Sequence, residues 1–226
     1  MPELRRDYRD RLAELEDDLI AMGNRVLDML GEAMTALGAR DLERAAAVIR
    51  ADDRIDSAYQ RIQEGVLTTI ALQAPVASQL RLLSAFMHAN IHLERMGDLC
   101  VNIGKFVGLV EDLSDDPELM AQLQEMGQHA RRVIGRSLEA LARRDLDLVH
   151  TLPELDEPLD QLNKGLFKRL VRLAAADETR LDWAMRMVLV ARYLERLGDH
   201  AVDIGEQVIF AVTGESVELA SNSPVA

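Results

Sequence analysis

The chain has one cysteine, Cys100, among its 226 residues. That excludes an internal disulfide framework and suits a reducing compartment. Aromatic residues make up only 4%, and the six prolines and thirteen glycines cluster near apparent helix ends. No apolar run approaches the roughly 18–20 residues needed to span a bilayer. The opening stretch MPELRRDYRDRLAELEDDL lacks the apolar centre of a secretion signal. A cytoplasmic chain without membrane insertion is therefore expected. Positive charge is also scarce. Twenty-six Lys and Arg face 39 Asp and Glu, for a net charge of −13 and a pI near 4.8. Such a surface repels phosphate backbones, so nucleic acid is excluded as a partner, and cations or basic proteins are favoured. There is no glycine-rich phosphate loop and no defensible Ser-His-Asp or Cys-His arrangement, so an enzyme is not expected.

What the chain does have is helix formers and a repeat. Leu, Ala, Met, Arg and Glu dominate, and hydrophobic content is 48%. LERMGDLCVNIGK (93–105) returns as LERLGDHAVDIGE (194–206), an offset of 101 residues from Glu94 to Glu195. Upstream the offset is 104, relating Met22-Gly23 to Met126-Gly127, Gly31 to Gly135, Arg40-Asp41-Leu42 to Arg144-Asp145-Leu146, and Asp52 and Asp56 to Asp156 and Asp160. The second copy is thus three residues shorter, which places turns near 71–75 and 174–178, where loops absorb deletions. Apolar residues recur at three- and four-residue steps from Leu12 to Leu37, the period of an amphipathic helix. Asp41 reads as an N-cap. The second helix is expected to run to about Leu72, and Ala74-Pro75 to open a third that reaches about Val110. The stretch from Leu113 to Pro117 is the strongest linker signal. Helices over about 118–143, 145–174 and 178–213 follow. The prediction is an all-α fold of two tandem three-helix bundles with six long helices, over 1–113 and 114–213, and a disordered tail over 214–226.

The repeated stretches carry costs. Carboxylates four apart on a helix repel by a few tenths of a kcal/mol, and a helical glycine costs roughly 0.5–1 kcal/mol. Glu94, Asp98 and Asn102 share one helical stripe, as do Glu195, Asp199 and Asp203. The preceding helices carry Asp52, Asp53 and Asp56, and Asp156, Glu157 and Asp160. If the two helices pack antiparallel, each half gathers about six oxygen-bearing side chains, the donor set for hard or borderline metal ions. A bound cation would convert the repulsion into attraction. The alternatives are a solvated acidic face, or a metal-free face docking a basic partner, with Arg95 and Arg196 as internal counter-charges. The halves differ. Glu94, Asp98 and Lys105 sum to −1, whereas Glu195, Asp199, Asp203 and Glu206 sum to −4, so the second row is expected to bind cations more tightly. Pro153 and Pro158 flank or enter the second acidic cluster and predict a bent helix start there. His88 and His92 have the i, i+4 spacing of a metal pair but project away from Glu94 and read as core or surface residues, and His200 lies about 100° around the helix from Asp199. Cys100 and Trp183 read as packing residues, and most methionines as core.

On these motifs the sequence resembles the PhoU family of phosphate-signalling regulators. The stretches Glu94-Arg95-Met96-Gly97-Asp98 and Glu195-Arg196-Leu197-Gly198-Asp199 are similar to that family's repeated acidic motifs, and the resemblance covers about 12–213. It implies metal clusters on these motifs, with iron or zinc first and manganese or magnesium next. It implies negative regulation of phosphate uptake and of the phosphate regulon. In that role an adaptor would bridge the ATPase subunit of a phosphate ABC transporter and a sensor histidine kinase, commonly as a homodimer. A di-metal carboxylate oxidase is the enzymatic alternative. It would use paired Glu-x-x-His motifs, but Gly97 and Gly198 stand where those histidines belong, and only Asp147 with His150 has similar spacing.

Overall fold

The computed structural model describes residues 2–110, 113 and 116–219, with side chains from Tyr8 onward. Helices α1 (Pro2–Ala39), α2 (Leu42–Gln73) and α3 (Ser78–Leu109) form the first bundle. Helices α4 (Pro117–Arg143), α5 (Leu146–His150), α6 (Leu152–Ala176) and α7 (Leu181–Thr213) form the second, with a 3-10 turn at Glu178–Arg180 before α7. No strand occurs among the described residues. Short turns make consecutive long helices antiparallel neighbours, and the bundles pack on each other along α3 with α7 and α1 with α4.

The repeat is visible at the turns. Arg40 and Arg144 end α1 and α4 in the left-handed region, at φ 54° and 50°. The next residue in each half caps the following helix. Asp41 accepts the Arg44 N–H (2.9 Å), and Asp145 accepts the N–H groups of Asp147 and Leu148 (3.0 and 3.2 Å). Such a cap is worth about 1 kcal/mol. Asp116 caps α4 in the same way, with Pro117 in the first turn. Of the expected linker, residues 114 and 115 lie outside the described residues. Residue 113 is tied to the first bundle by Arg40 Nη2, which donates to the Leu113 carbonyl (2.8 Å).

Two boundaries differ from expectation. Ala74 and Pro75 lie in the turn and do not open α3. Ala74 takes a left-handed φ of 42°, its N–H closing α2 on the Ile70 carbonyl, and α3 begins at Ser78. The expected helix over 145–174 is broken. It ends as α5 at His150 and restarts as α6 at Leu152, with Pro153 in the first turn. Proline has no N–H for the preceding turn and its ring clashes with that turn's carbonyl. Thr151 Oγ1 donates to the Leu148 carbonyl (2.7 Å) at the break. Pro158 lies inside α6. The acidic segment of α6 is thereby aimed independently of α5.

The core is continuous through both bundles. Leu19, Met22, Val26, Phe86, Met96, Trp183 and Leu194 belong to one contiguous cluster. Most methionines sit in it as expected, although Met185 is exposed. Cys100 is fully buried, and burial pushes its thiol up to about 12, leaving no reactive thiolate at neutral pH. Gly214, at φ 85°, ends α7. Residues 215–219 are irregular, and the Leu219 N–H donates to Glu206 Oε1 (2.7 Å), holding this part of the expected tail against α7. Residues 220–226 lie outside the described residues. No described helix is long and apolar enough to cross a membrane.

A candidate carboxylate metal centre

The close approach of α7 to α6 builds the site. A β-carbon at Gly198 would overlap Asp156 Oδ1 and meet Leu159 Cδ2 at 2.7 Å, and one at Gly205 would overlap Leu152. The two glycines, one heptad apart, open the groove into which the acidic turns of α6 settle. Oxygens of Asp156, Asp160 and Asp199 come within 4.8 Å of one another. Glu195 stands one turn before Asp199 and is buried, as is Asp156. Like charges at such separations repel by roughly 3–4 kcal/mol at an effective dielectric constant near 20.

The electrostatics record that cost. Burial first, then the charges of Asp160, Asp199, Glu195 and Glu157, push the Asp156 carboxyl up to about 7. Burial and Asp199 push Glu195 up to about 7, against the opposing pull of Arg192. Asp199 is raised by burial and then by Asp160. Asp156 Oδ1 and Glu195 Oε2 are buried without a hydrogen-bond partner. Orphaned acceptors of this kind cost about 1–3 kcal/mol each. An all-oxygen donor set with two unpartnered buried oxygens fits a hard or borderline cation such as magnesium, manganese or iron better than zinc. Within it, Asp156, Asp160, Glu195 and Asp199 would hold the ion.

Two expected ligands and one further carboxylate of the row are placed elsewhere. Glu157 sits at the rim, where its Oε1 accepts from Gln161 (2.6 Å). Asp203 Oδ2 turns to His92 Nδ1 (3.4 Å) and His200 Nδ1 (3.5 Å). Glu206, one of the four counted in the second row, accepts from Leu219. The direct counter-charge of this half is Arg192, whose Nη1 pairs with Glu195 Oε1, while the expected Arg196 opposes the raised Glu195 carboxyl only at longer range. Arg192 was legible only as i, i+3 spacing. The contact between His92 and His200, with ring centroids 5.3 Å apart, joins helices from different bundles and had no sequence signal. Burial lowers His92 most, Asp203 opposing.

The first half is a looser version. Gly97 again lets α2 approach, a β-carbon there standing 3.1 Å from Ile55 and 3.4 Å from Asp52 Oδ1. Burial, then Asp56 and Asp98, raise Asp52, with Lys105 opposing. Burial, then Asp98, raise Glu94, with Arg95 opposing. Arg95 lies 3.5 Å from Glu94 and 3.3 Å from Asp98, as the internal-pairing alternative expects. Asp53 and Asp56 are exposed and Asn102 is half-buried. Among the described residues, the carboxylates here form no three-oxygen group like that of the second half. Replacing Lys105 by Glu removes the cation facing Asp52. Lys105→Glu in a Glu195→Ala/Asp199→Ala background is expected to raise manganese affinity roughly tenfold, since one ion pair's worth of attraction is about 1–2 kcal/mol. Calorimetric titration reads it, and unchanged affinity would show that the first-half carboxylates do not act as a cation site.

Comparison with known proteins agrees with the duplicated design. The PhoU domain model matches twice, over residues 19–107 and 123–208. A phosphate-specific transport system accessory protein PhoU homolog from Clostridium acetobutylicum is 30% identical over 216 residues, covering 95% of this chain and 98% of that one. The homolog from Pseudomonas aeruginosa is 31% identical over 208 residues, covering 91% and 86%. The crystal structure of PhoU from Pseudomonas aeruginosa superposes with a TM-score of 0.87 at 28% identity, over 92% of this chain and all of that one. The phosphate transport system regulatory protein PhoU from Streptococcus pneumoniae gives 0.86 at 28% identity, over 94% and all. Two copies of one domain, each presenting ERxGD on its last helix against an acidic turn of the helix before it, place this chain in the PhoU family.

Proposed function

We propose that this chain is a cytoplasmic accessory regulator of phosphate transport. It restrains phosphate uptake and phosphate-responsive gene expression as a cation-binding adaptor between the ATPase subunit of a phosphate ABC transporter and a sensor histidine kinase. The observation that carries the reading is the pair of PhoU domains over 19–107 and 123–208, in a chain whose full-length relatives are named as accessory proteins of phosphate-specific transport. The net charge of −13 supports docking on basic protein surfaces rather than on nucleic acid. The adaptor works by binding, not catalysis, and a homodimer is part of the proposal. The four carboxylates of the second half would hold the ion, which supplies a fixed positive charge between α6 and α7 and so stabilises their close packing.

The metal-free scaffold is the second reading, favoured by the internal pairing of Arg192 with Glu195 and Arg95 with Asp98. One experiment separates the two. A host strain deleted for its own copy is complemented with the wild-type chain or with Glu195→Ala/Asp199→Ala, and a phosphate-starvation reporter is read in high phosphate. In parallel, both proteins are purified without chelator or histidine tag for elemental analysis. The expected result is about one or more equivalents of metal in the wild type, a loss of about one equivalent in the double variant, and derepression of the reporter. A metal-free wild type that represses fully, unchanged by the double variant, favours the scaffold. No repression by a folded wild-type chain overturns the regulatory reading.

A further inference from the structure

The seam between the bundles holds a second group of donor atoms, outside the acidic groove of α6 and α7. His92 Nδ1, on α3, lies 3.2 Å from His200 Nδ1, on α7. Asp203 Oδ2 lies 3.4 Å from the first and 3.5 Å from the second. The three atoms form a nearly equilateral triangle, and hydrogen atoms alone do not satisfy it. Each neutral imidazole carries one N–H, on one of its two nitrogens. If both Nδ1 atoms are protonated, both donate to Asp203, and the two N–H groups face each other across 3.2 Å. If only one is protonated, the other nitrogen turns a lone pair on either the carboxylate or its partner ring. In every tautomer one edge of the triangle is repulsive. The rings are half-buried between helices, so water screens that repulsion only in part.

We propose that His92, His200 and Asp203 form a zinc-class divalent cation site that staples α3 to α7 across the bundle seam. Metal–ligand bonds of about 2.0–2.2 Å in tetrahedral geometry place the ligand atoms about 3.3–3.5 Å apart. The observed edges of 3.2, 3.4 and 3.5 Å match that face. Magnesium, which demands octahedral geometry at about 2.0–2.1 Å, would draw neighbouring ligands to about 3.0 Å and prefers oxygen to imidazole. Two imidazoles and one carboxylate instead form a donor set for zinc or cobalt, with the fourth position open to water or to a partner's side chain. The site stands apart from the carboxylate centre in chemistry and in residues. One takes a hard ion on Asp156, Asp160, Glu195 and Asp199 within a single bundle, and the other a borderline ion on residues of both bundles. Occupancy of the seam site would add a metal tie between α3 and α7 to the polar bridges that join the repeats along α1 and α4, where Arg144 pairs with Glu16 and Gln124 Nε2 donates to the Met34 carbonyl.

Cobalt(II), a visible stand-in for zinc, tests the assignment on the full chain. Titration of chelator-treated protein is expected to give the visible bands of a four-coordinate cobalt ion. Those bands persist in Asp156→Asn/Asp160→Asn. In His92→Gln and in His200→Gln, each shown to be folded by circular dichroism, affinity falls by at least the roughly 10–100-fold that loss of a mere supporting partner costs. Zinc added to the wild type, followed by nitrogen-15 spectra of the imidazoles, gives a readout free of variants: two of the five histidines shift through Nδ1. The assignment is overturned if no four-coordinate band appears, if the band survives in both histidine variants, or if it vanishes in the carboxylate variant while the histidines are intact. It is equally overturned if zinc leaves the imidazole spectra unchanged.

Discussion

Stripped of bound cations, the chain is expected to lose stability as pH rises from about 5 to about 8, a trend opposite to that of a protein held by salt-bridged carboxylates. Asp156 and Glu195, raised to about 7 by burial and by their neighbours, keep their protons in the folded state at pH values where the unfolded chain has released them. Between about pH 4 and pH 7 the folded state therefore binds more protons than the unfolded one, and stability falls as pH climbs through that window. Above about 8 both states are ionised and the loss is complete. Every tenfold difference in proton affinity between the folded and unfolded states is worth about 1.4 kcal/mol, so the two neighbouring carboxyls together account for a few kcal/mol. In a domain of this size that is a fall in melting temperature of roughly 5–10 °C. Manganese should reverse it most strongly at high pH, where the ligands are already ionised, adding about 2.7 kcal/mol at a hundred times its dissociation constant. Asp156→Asn/Glu195→Gln should flatten the pH slope of the metal-free protein and abolish rescue by manganese. Calorimetric melts at three pH values, with and without manganese, decide it. A metal-free wild type whose melting temperature is level or rises over this range would mean that these carboxylates are not buried together.

Gly198→Ala is expected to destabilise the chain by about 1–3 kcal/mol, the usual cost of forcing extra volume into a packed contact. The sign is the informative part. At a helical glycine with open space, alanine gains roughly 0.5–1 kcal/mol from lower backbone entropy in the unfolded state and better propensity. Gly135 is such a position, with nothing within 4 Å of its would-be β-carbon, and Gly135→Ala should stabilise by that amount. At Gly198 the new methyl group lands on Asp156 Oδ1 and against Leu159, both buried and both on the helix that carries the acidic turn. Either α6 retreats or Asp156 is displaced, so manganese affinity falls together with stability. Gly97→Ala, where the nearest atom stands at 3.1 Å, should cost less than Gly198→Ala. Urea melts and manganese titrations on the three variants test this ordering. A Gly198→Ala chain with wild-type stability and affinity would remove close helix approach as the reason for the repeated glycine.

Much of this protein is readable in one dimension. The duplicated ERxGD stretches, the 101- and 104-residue offsets and the Arg-Asp-Leu turns determined the family, the six long helices and the side of each bundle on which carboxylates gather. These are local or periodic properties, and helical periodicity carries them directly. Pro153 likewise signalled a disturbed helix start, although the break at Thr151, which leaves α5 as five residues, depends on how the two segments pack. The division of the second acidic row was not legible. Glu195, Asp199 and Asp203 share a stripe, but each i, i+4 step turns the side chain about 40° around the helix. That drift carries Glu195 and Asp199 into the groove against α6 and delivers Asp203 to the seam, where α3 brings His92. Histidines 108 residues apart on different bundles leave no trace in spacing, and only the packing of α3 on α7 brings them to 3.2 Å.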